Sequence, residues 1–404
     1  MSDQVLVINS GSSSIKYQFV DPVSGTAVAS GLVERIGEAE GRVQHHYDGN
    51  TLEHCGPIVD HTDGFGLAYA MFAKSGLGAD ESPIKAVGHR VVHGGRLFHA
   101  PTLINDAVLA EIERLSELAP LHNPPNAIGI AVTRKQFPNV PHVAVFDTGF
   151  FHSLPGAAAT YAISHDIAEA WGVRRYGFHG TSHEYVSREA AHFLDRDFGE
   201  LKTIVLHLGN GASASAVRKG HAVETSMGLT PLEGLVMGTR SGDLDPAIVN
   251  LMASKEGLSP HEVEALLNTQ SGLLGLSGLT NDMKVLEEEL RQHDDRRVRL
   301  AIEVFSHRAR KYIGAMLASM GGADAVVFTG GIGENSPTVR ARICAGLDWA
   351  GLALDEALNA KALGHETRIT TADSKLAAWV IPTDEELLIA RDTVRCIHGE
   401  PHPA

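Results

Sequence analysis

The stretch that decides the fold lies near the start of the chain and reads VLVINSGSSSIKYQFV over residues 5–20. Its first residues form a short apolar, β-branched run, which is typical of a buried strand. Asn9 and a set of glycine and serine residues follow, and this composition favours a tight turn whose backbone can approach a ligand closely. A second strand-like run comes after the turn. The stretch therefore predicts two strands joined by a small-residue turn.

A similar stretch, TIVLHLGNGASASAV, occupies residues 203–217, about half the chain later. An internal repeat at this distance indicates two related domains, because solenoid repeats are far shorter. Chance similarity between two short hairpins is the alternative, and these two stretches alone leave it open. A third strand-like run, AVVFT over 325–329, also ends in a glycine-rich segment, GGIGENS over 330–336.

Three such turns predict phosphate binding. Successive backbone N–H groups in a turn form a concave site for an anion. In the first turn, the hydroxyls of Ser12, Ser13 and Ser14 can add donors, and Lys16 can reach the same anion. Three turns in one chain, two of them related by apparent duplication, favour a nucleotide held between two domains.

Composition excludes several classes of protein. The chain has 404 residues, with 34 basic and 49 acidic side chains and a net charge of −15, so it should repel nucleic acid and acidic membrane surfaces. This length predicts two domains. No apolar stretch approaches 18 residues, which argues against a membrane span. Three cysteines without a CxxC pair argue against a disulfide framework or a structural zinc site, and a cytoplasmic location is expected.

Familiar motifs of nucleotide and metal enzymes are missing. No Gly-Lys pair occurs, so the chain has no P-loop. The segment 330–336 lacks the third glycine of a dinucleotide fingerprint, and none of the 22 histidines forms an HExxH motif.

Five charged or histidine side chains are candidates for chemistry because of where they stand: Arg90, His179, Arg240, Asp147 and Glu385. The first three lie among small or turn-forming neighbours, which favours ligand-facing loops. Asp147 ends a strand, a common position for functional groups in α/β sheets. Surface ion pairs for the arginines and a packed core position for the histidine remain open. So does a helix-dipole role for the glutamate.

Helices are predicted over 105–119, 283–319 and 383–395, the last with Thr383 and Glu386 at capping-box spacing. A boundary between domains is expected near residue 150.

Nine motifs are spread over essentially the whole chain: INSGSSSIKY, GHRVVHGG, LAPLHNPPN, FDTGFFHSLP, YGFHGTSH, HLGNGAS, MGTRSGDLDP, FTGGIGENS and IPTDEELLIARDT. Taken together, they resemble the motifs of the acetate kinases and occur in the same order. The resemblance implies an α/β fold of the actin, Hsp70 and sugar-kinase type (ribonuclease H-like), with two duplicated domains and a cleft for ATP between them. It implies a magnesium and substrate domain over 1–150 plus 384–404, and a nucleotide-binding domain over 151–383.

The resemblance also implies roles for individual residues, each matched by position. The catalytic set is Arg90, Asp147, His179 and Arg240. The nucleotide contacts are Ser12, Ser14, Lys16, His207, Leu208, Gly209, Asn210, Gly211, Asp282, Met283, Lys284, Gly330, Gly331, Ile332, Gly333 and Glu334. The substrate contacts are Arg90, Val92, Leu121, Phe178 and Pro231, and the magnesium-site residues are Asn9 and Glu385. Two positions depart from the family pattern, since Arg96 stands where an acidic residue is usual and Lys284 where arginine is common.

The implied activity is transfer of a phosphoryl group from ATP to acetate, giving ADP and acetyl phosphate, in one in-line step. It implies Mg²⁺, with Mn²⁺ as a possible substitute, and a homodimer. A propionate kinase is the nearest alternative, although Val92 favours the smaller acetate. An actin- or Hsp70-like ATPase switch and a pyrophosphate-using member of the family are the others. Nucleotide preference is left open by Lys284.

Overall fold

The computed structural model describes residues 4–76 and 84–402. The chain divides into two compact units, Met1–His152 together with Asp384–Ala404, and Ser153–Thr383. In the described residues, each unit is built on one mixed β-sheet with helices packed against it.

The strands and helices of the first unit, within the described residues, are β1 (Val5–Ser10), β2 (Ser14–Val20), β3 (Ala27–Glu34), β4 (Gly41–Tyr47), β5 (Asn50–Gly56), α1 (His61–Lys74), β6 (Ala86–Val91), β7 (Thr102–Leu103), α2 (Asp106–Arg114), α3 (Asn123–Gln136) and β8 (His142–Phe146). Strand order in the sheet is β5-β4-β3-β2-β1-β6-β8-β7. Strands β1 to β5 form an antiparallel meander, whereas β6 and β8 run parallel to β1. The carboxyl ends of β1, β6 and β8 consequently meet at one edge of the sheet.

The elements of the second unit follow along the chain. They are α4 (Gly156–Ala159), α5 (His165–Ala170), α6 (Gly180–Phe193), β9 (Lys202–Leu208), β10 (Ala212–Arg218), β11 (His221–Thr225), α7 (Ala247–Glu256), α8 (Pro260–Thr269), α9 (Gly272–Ser277), α10 (Met283–His293), α11 (Arg296–Met320), β12 (Ala325–Thr329), α12 (Gly330–Asn335), α13 (Pro337–Cys344), α14 (Glu356–Lys361), β13 (Thr367–Arg368) and β14 (Ala377–Val380). The last helix, α15 (Glu385–His398), belongs to the first unit.

The two sheets share one topology. The second sheet has the order β11-β10-β9-β12-β14-β13, with β9, β10 and β11 antiparallel and with β12 and β14 parallel to β9. Its first five strands therefore match β3-β2-β1-β6-β8 of the first sheet. The hairpin turns also match, since three residues separate the strands in each, 11–13 and 209–211. The prediction of a duplicated α/β fold is confirmed, and the repeat in the sequence is structural.

Helices cover both faces of the first sheet. Successive strand residues point to opposite faces, so His89 of β6 meets Thr133 of α3 while Gly88 faces α15. A Cβ added to Gly88 would lie 2.5 Å from the Thr393 hydroxyl and 2.9 Å from the Ile389 side chain. The glycine thus lets α15 pack closely on β6, which places the start of that helix at the same sheet edge as Arg90.

The three helix predictions each need correction. The region 283–319 forms two helices rather than one, because Asp294 adopts a left-handed conformation at φ 51° and ends α10. Asp295 then caps α11 by accepting from the backbone N–H groups of Arg297 and Val298. Among the described residues no helix, including the 25-residue α11, is apolar over enough of its length to cross a membrane.

The predicted capping box at Thr383 is also wrong by one residue. Asp384 is the N-cap of α15, and its side chain accepts a hydrogen bond from Leu387 N at 2.9 Å. Aspartate is as strong an N-cap as threonine, so the helix starts at Glu385. The segment 105–119 is helical only over Asp106–Arg114 and continues as a short 3₁₀ turn.

Candidate functional site

Arg90, Asp147 and Glu385 form a cluster at the sheet edge of the first unit. Arg90 Nε and Nη2 donate to Asp147 Oδ1 and Oδ2 at 2.8 and 2.7 Å, and Glu385 Oε2 lies 3.7 Å from Nε. Asp147 is fully buried, whereas the side chains of Arg90 and Glu385 keep a small exposed fraction. The structure thus brings three of the predicted site residues together, with the guanidinium held in a fixed orientation.

The charge of Arg90 is secured by this cluster. Burial alone would lower the pKa of its guanidinium, but the carboxylates of Asp147 and Glu385 outweigh burial and raise that pKa above its ordinary value. A largely buried arginine between two carboxylates stays charged and oriented, which suits the binding of a further anion.

The first hairpin turn stands beside this cluster. Asn9 of β1 is paired across the hairpin with Lys16 of β2, so the two side chains share one face of the sheet. Lys16 Nζ also contacts Glu386 Oε1 of α15 at 2.6 Å. Ser12 and Ser14 lie in the turn and at the start of β2, and Ser12 is exposed.

In the second unit, the turn 209–211 packs against two predicted catalytic side chains. A Cβ added to Gly211 would lie 2.9 Å from Arg240 Nη2 and 3.1 Å from His179 Nε2. Glycine at this position leaves room for both groups, since a side chain would crowd them and Arg240 would have to shift. His207 precedes the turn at the end of β9, and its ring lies 4.5 Å from that of His179, centroid to centroid.

His179 is held in an unusual backbone conformation. It precedes α6 at φ 59° and ψ 29°, in the left-handed region that non-glycine residues rarely adopt. Its Nδ1 is hydrogen-bonded to Ser213 Oγ at 2.9 Å, and the same hydroxyl lies 2.7 Å from His183 Nε2. A strained backbone at the end of a buried polar network is a common feature of functional sites.

Within the described part of the chain, no carboxylate pairs with Arg240. Among the residues that the structure describes, its guanidinium donates one hydrogen bond, from Nη1 to the carbonyl oxygen of Pro231 at 2.7 Å. Burial lowers the pKa of Arg240 to about 10, so the side chain remains charged at neutral pH. A partly buried cation beside a phosphate-type turn, held by the Pro231 carbonyl, favours an anionic ligand.

A pocket of about 800 Å³ opens next to this turn. Seven of the predicted nucleotide contacts line it: Gly209, Asn210, Asp282, Met283, Lys284, Gly331 and Ile332. The start of α10 and the start of α12 form its walls, and a Cβ on Gly331 would meet nothing within 4 Å. The volume is ample for a nucleoside beside the turn.

Other predicted nucleotide contacts of this unit lie outside the lining of the pocket. His207, Leu208 and Gly211 belong to the strand end and the turn, while Gly330 and Gly333 are buried in α12. Glu334 accepts hydrogen bonds from Gly330 N at 2.9 Å and Thr383 N at 3.2 Å. Its carboxylate therefore anchors the start of α12 and a neighbouring backbone segment.

The four residues predicted to hold a methyl group are divided between the units. Val92 and Leu121 lie in the first, where Val92 is half-buried and Leu121 is exposed. Phe178 and Pro231 lie in the second, both buried. Pro231 has a further role, since its carbonyl oxygen holds Arg240.

Sequence reasoning missed several supporting side chains. Asn126 accepts from Val92 N at 3.0 Å and donates to Ser10 O at 2.7 Å, so it ties β1 to the segment after β6. The sequence could have indicated Asn126, because it is the last residue of the LAPLHNPPN motif and lies in the first turns of α3. In the pocket, Glu287 and Ser336 are hydrogen-bonded at 2.5 Å. Glu287 stands one turn beyond Met283, which helical spacing alone could have indicated.

Known proteins match this chain over nearly its whole length. The family model described as the acetokinase family matches residues 4–391. An acetate kinase of Solibacter usitatus is 55% identical over 99% of this chain and 100% of its own. The crystal structure of a Porphyromonas gingivalis acetate kinase has a TM-score of 0.90 and 38% identity, covering 98% of this chain and 100% of that one. That of a Francisella tularensis propionate kinase has a TM-score of 0.92 and 40% identity, with the same coverage. The chain belongs to the acetokinase family.

Proposed function

We propose that the protein is an acetate kinase that transfers the terminal phosphoryl group of ATP directly to acetate, giving acetyl phosphate and ADP. The observation that carries the proposal is the position of Arg240. This partly buried cation has no carboxylate partner among the described residues, and it lies against a glycine turn next to a pocket of about 800 Å³. Full-length relatives named acetate kinases support the choice of substrate.

The chemistry requires charge neutralisation rather than a base. A carboxylic acid with a pKa of about 4 is already ionised at pH 7, so acetate needs no deprotonation before attack. Its difficulty is that an anion must approach an anion, and phosphoryl transfer is accelerated mainly by positioning and by neutralising charge. Arg90 and Arg240 supply fixed positive charge for this purpose. His179 donates a hydrogen bond to the transferring group.

Asp147 acts as a positioning residue. It occupies both donors on one edge of the Arg90 guanidinium, which leaves the remaining N–H groups to bind acetate or phosphate oxygen. Because its carboxylate is committed to this ion pair and acetate needs no base, Asp147 takes no proton from the substrate.

The residues of the first unit suit a divalent cation. The amide oxygen of Asn9 and the carboxylate of Glu385 are hard oxygen ligands of the kind that Mg²⁺ and Mn²⁺ prefer. Bound Mg²⁺ would neutralise the nucleotide phosphates. Asn9 and Glu385 would hold it, as the family pattern implies.

The nucleoside is assigned to the pocket lined by Asp282, Lys284 and Ile332. The phosphates follow from there towards the turn 209–211, where backbone N–H groups and Arg240 are available. Lys284 is an exposed point charge rather than a planar fork, so discrimination between ATP and GTP is not assigned to it. A homodimer and a cytoplasmic location stay predictions.

A propionate kinase is the second candidate, because the Francisella tularensis propionate kinase matches this chain with a TM-score of 0.92. One extra methylene changes the transition-state free energy by only about 1–3 kcal/mol. Val92 favours the smaller substrate, so propionate is expected to be a poorer but real acceptor.

A hydroxylamine trap for acyl phosphate tests the proposal. The protein is incubated with Mg²⁺ and ATP, GTP or pyrophosphate, together with acetate, propionate or butyrate. We expect hydroxamate with ATP and acetate, less with propionate and least with butyrate. ADP release that is indifferent to the carboxylate would indicate an ATPase switch, and higher kcat/KM for propionate would favour the second candidate.

A further inference from the structure

A continuous chain of side-chain hydrogen bonds runs from β10 through α6 to His179. Ser213 and Ser215 are two residues apart on β10, so they share one face of the strand. His179 immediately precedes α6, and His183 lies in the first turn of that helix. The Ser215 hydroxyl lies 2.7 Å from His183 Nδ1, and His183 Nε2 lies 2.7 Å from the Ser213 hydroxyl. The Ser213 hydroxyl lies 2.9 Å from His179 Nδ1.

The far end of this hydrogen-bond chain, at Ser215, determines which group donates and which accepts in each link. Ser215 is fully buried, and within the described part of the protein its hydroxyl has a single hydrogen-bond partner, His183 Nδ1. A buried O–H that donates to nothing costs free energy comparable to a lost hydrogen bond. The Ser215 hydroxyl therefore donates, and His183 Nδ1 accepts.

The next two links follow from the chemistry of a neutral imidazole. His183 is fully buried, and burial together with the charge of His207 holds its pKa well below the ordinary value of 6.5. A neutral ring that accepts at Nδ1 carries its proton at Nε2, so His183 donates to Ser213 Oγ. The one proton of the Ser213 hydroxyl is then available for His179 Nδ1.

We infer that Ser215, His183 and Ser213 are positioning residues that set the tautomer of His179, so that its neutral ring carries the proton on Nε2. This nitrogen is on the side of the phosphate turn, 3.1 Å from where a Cβ on Gly211 would lie. The inference rests on the proposed function in one respect only, namely that the Nε2–H group donates to the transferring phosphoryl group. The assignment of the tautomer does not depend on it.

The tautomer has a consequence for the rate. A ring with its proton on Nδ1 would present a lone pair to phosphate oxygens and repel them. Removing a whole donor of this kind typically costs about 10²–10³ in kcat. Removing the Ser213 hydroxyl interrupts the hydrogen-bond chain but leaves the His179 ring in place, free to populate both tautomers. A smaller loss, about tenfold in kcat, is therefore expected. Because the contact matters most in the transition state, KM should change little.

Nitrogen NMR of the full-length protein labelled with ¹⁵N-histidine tests the assignment. Spectra are recorded at pH 8.5, two units above an ordinary histidine pKa of about 6.5, where neutral rings show distinct Nδ1 and Nε2 signals. The His179 signals are identified by their loss in a His179→Asn variant. We expect a protonated Nε2 and a bare Nδ1 at both His179 and His183. A proton on His179 Nδ1 in the wild-type protein would overturn the inference without any variant being needed.

Two serine variants and a matched control extend the test. In Ser213→Ala, the Nδ1–H form of His179 should become populated and kcat should fall about tenfold. Ser215 is linked to His179 only through the hydrogen bonds of His183 and Ser213. The Nδ1–H form of His179 should also appear in Ser215→Ala. The control is Ser187→Ala on the same helix, whose buried hydroxyl donates to the His183 carbonyl oxygen at 2.6 Å and lies outside the chain.

The outcomes separate this inference from the proposed function. An unchanged tautomer and unchanged kcat in Ser213→Ala would contradict the inference, as would equal effects in Ser213→Ala and Ser187→Ala. If the wild-type protein forms no acetyl phosphate but His179 carries its proton on Nε2, the proposed function fails and the tautomer assignment stands.

Discussion

Asp147 holds Arg90 through two parallel hydrogen bonds, from Nε to Oδ1 at 2.8 Å and from Nη2 to Oδ2 at 2.7 Å. Such a bidentate pair fixes the plane of the guanidinium as well as its position. Because Asp147 is fully buried and Arg90 is nearly so, neither side chain can reorient cheaply. The orientation of the Arg90 guanidinium at the sheet edge of the first unit therefore depends on this pair.

The first prediction concerns that pair. In Asp147→Asn, one oxygen acceptor is replaced by an N–H donor that faces another donor, so Arg90 should lose its orientation. We expect kcat/KM for acetate to fall by on the order of 10², measured by coupled ADP release. Asp106→Asn is the control, because the exposed Asp106 pairs with Arg134 away from this cluster. Equal activity of the two variants would remove Asp147 from the positioning of Arg90.

The second prediction tests Arg240. Arg240→Ala should lower kcat at least a hundredfold, since loss of one charged donor costs about 10²–10³ and an arginine finger up to about 10⁵. Its circular dichroism spectrum should stay native. Arg218→Ala, at an exposed position near the end of β10, should keep full activity. Normal turnover in Arg240→Ala would exclude this residue from the mechanism.

The third prediction uses the glycine turn. Gly211→Ala should displace Arg240 and His179, because the new Cβ would lie 2.9 and 3.1 Å from them. A large loss of kcat is expected, of the same order as that of Arg240→Ala. Gly314→Ala in α11, where an added Cβ meets nothing within 4 Å, should instead gain about 0.5–1 kcal/mol of stability with activity unchanged. Full activity of Gly211→Ala would mean that the turn tolerates a side chain, against the observed packing.

The fourth prediction separates a metal ligand from a helix-dipole effect. Glu385 and Glu386 both lie in the first turn of α15, so each stabilises the helix by a similar, small amount. Glu385→Ala should raise the Mg²⁺ concentration needed for half-maximal activity, whereas Glu386→Ala should change it much less. The measurement is activity against free Mg²⁺ at saturating ATP. If Glu385→Ala lowers the melting temperature but leaves the Mg²⁺ requirement unchanged, Glu385 acts by stabilising the helix dipole and not as a metal ligand.

The fifth prediction concerns stability against pH. His45 is fully buried, hydrogen-bonded to Tyr17 and Ser75, and burial, with the charge of His46, lowers its pKa to about 4. As pH falls from 6.5 to 4, the unfolded chain takes up a proton that the folded protein does not. The contribution of the neutral His45 to the free energy of unfolding is therefore fully present above pH 6.5 and is lost as the pH falls from 6.5 to 4.

Urea unfolding at several pH values measures this loss, which for one histidine is on the order of 1–3 kcal/mol. His45→Gln should flatten the slope between pH 6.5 and 4, while His54→Gln, at an exposed position on β5, should leave it unchanged. An identical slope in the wild-type protein and in His45→Gln would contradict the prediction.

Much of the fold was predictable because its signals are local. The β-branched runs before glycine and serine turns identified β1, β9 and β12, and the resemblance between the first two of these stretches indicated the duplication. The break between α10 and α11 was not predictable in this way. Residues 291–297 are all polar or charged, and an exposed turn of one long helix can have the same composition. The end of α10 depends on the left-handed conformation of Asp294 and on capping by Asp295.

The residues of the candidate site could be predicted from the sequence, but the side chains that contact and orient them could not. Position along the strands and the family pattern indicated Arg90, Asp147 and Arg240. The partners come from distant parts of the chain, as Glu386 does to Lys16 and Ser213 to His179. No spacing rule in the sequence connects such residues, since only the pairing of strands and the packing of helices bring them together.

Direct attack of the substrate carboxylate on the terminal phosphorus is the central claim. The most direct measurement uses ATP whose terminal phosphoryl group is made chiral with oxygen isotopes, followed by determination of the configuration of the acetyl phosphate formed. A single in-line transfer predicts inversion of configuration. Retention would require two transfers through a phosphorylated side chain and would contradict the account.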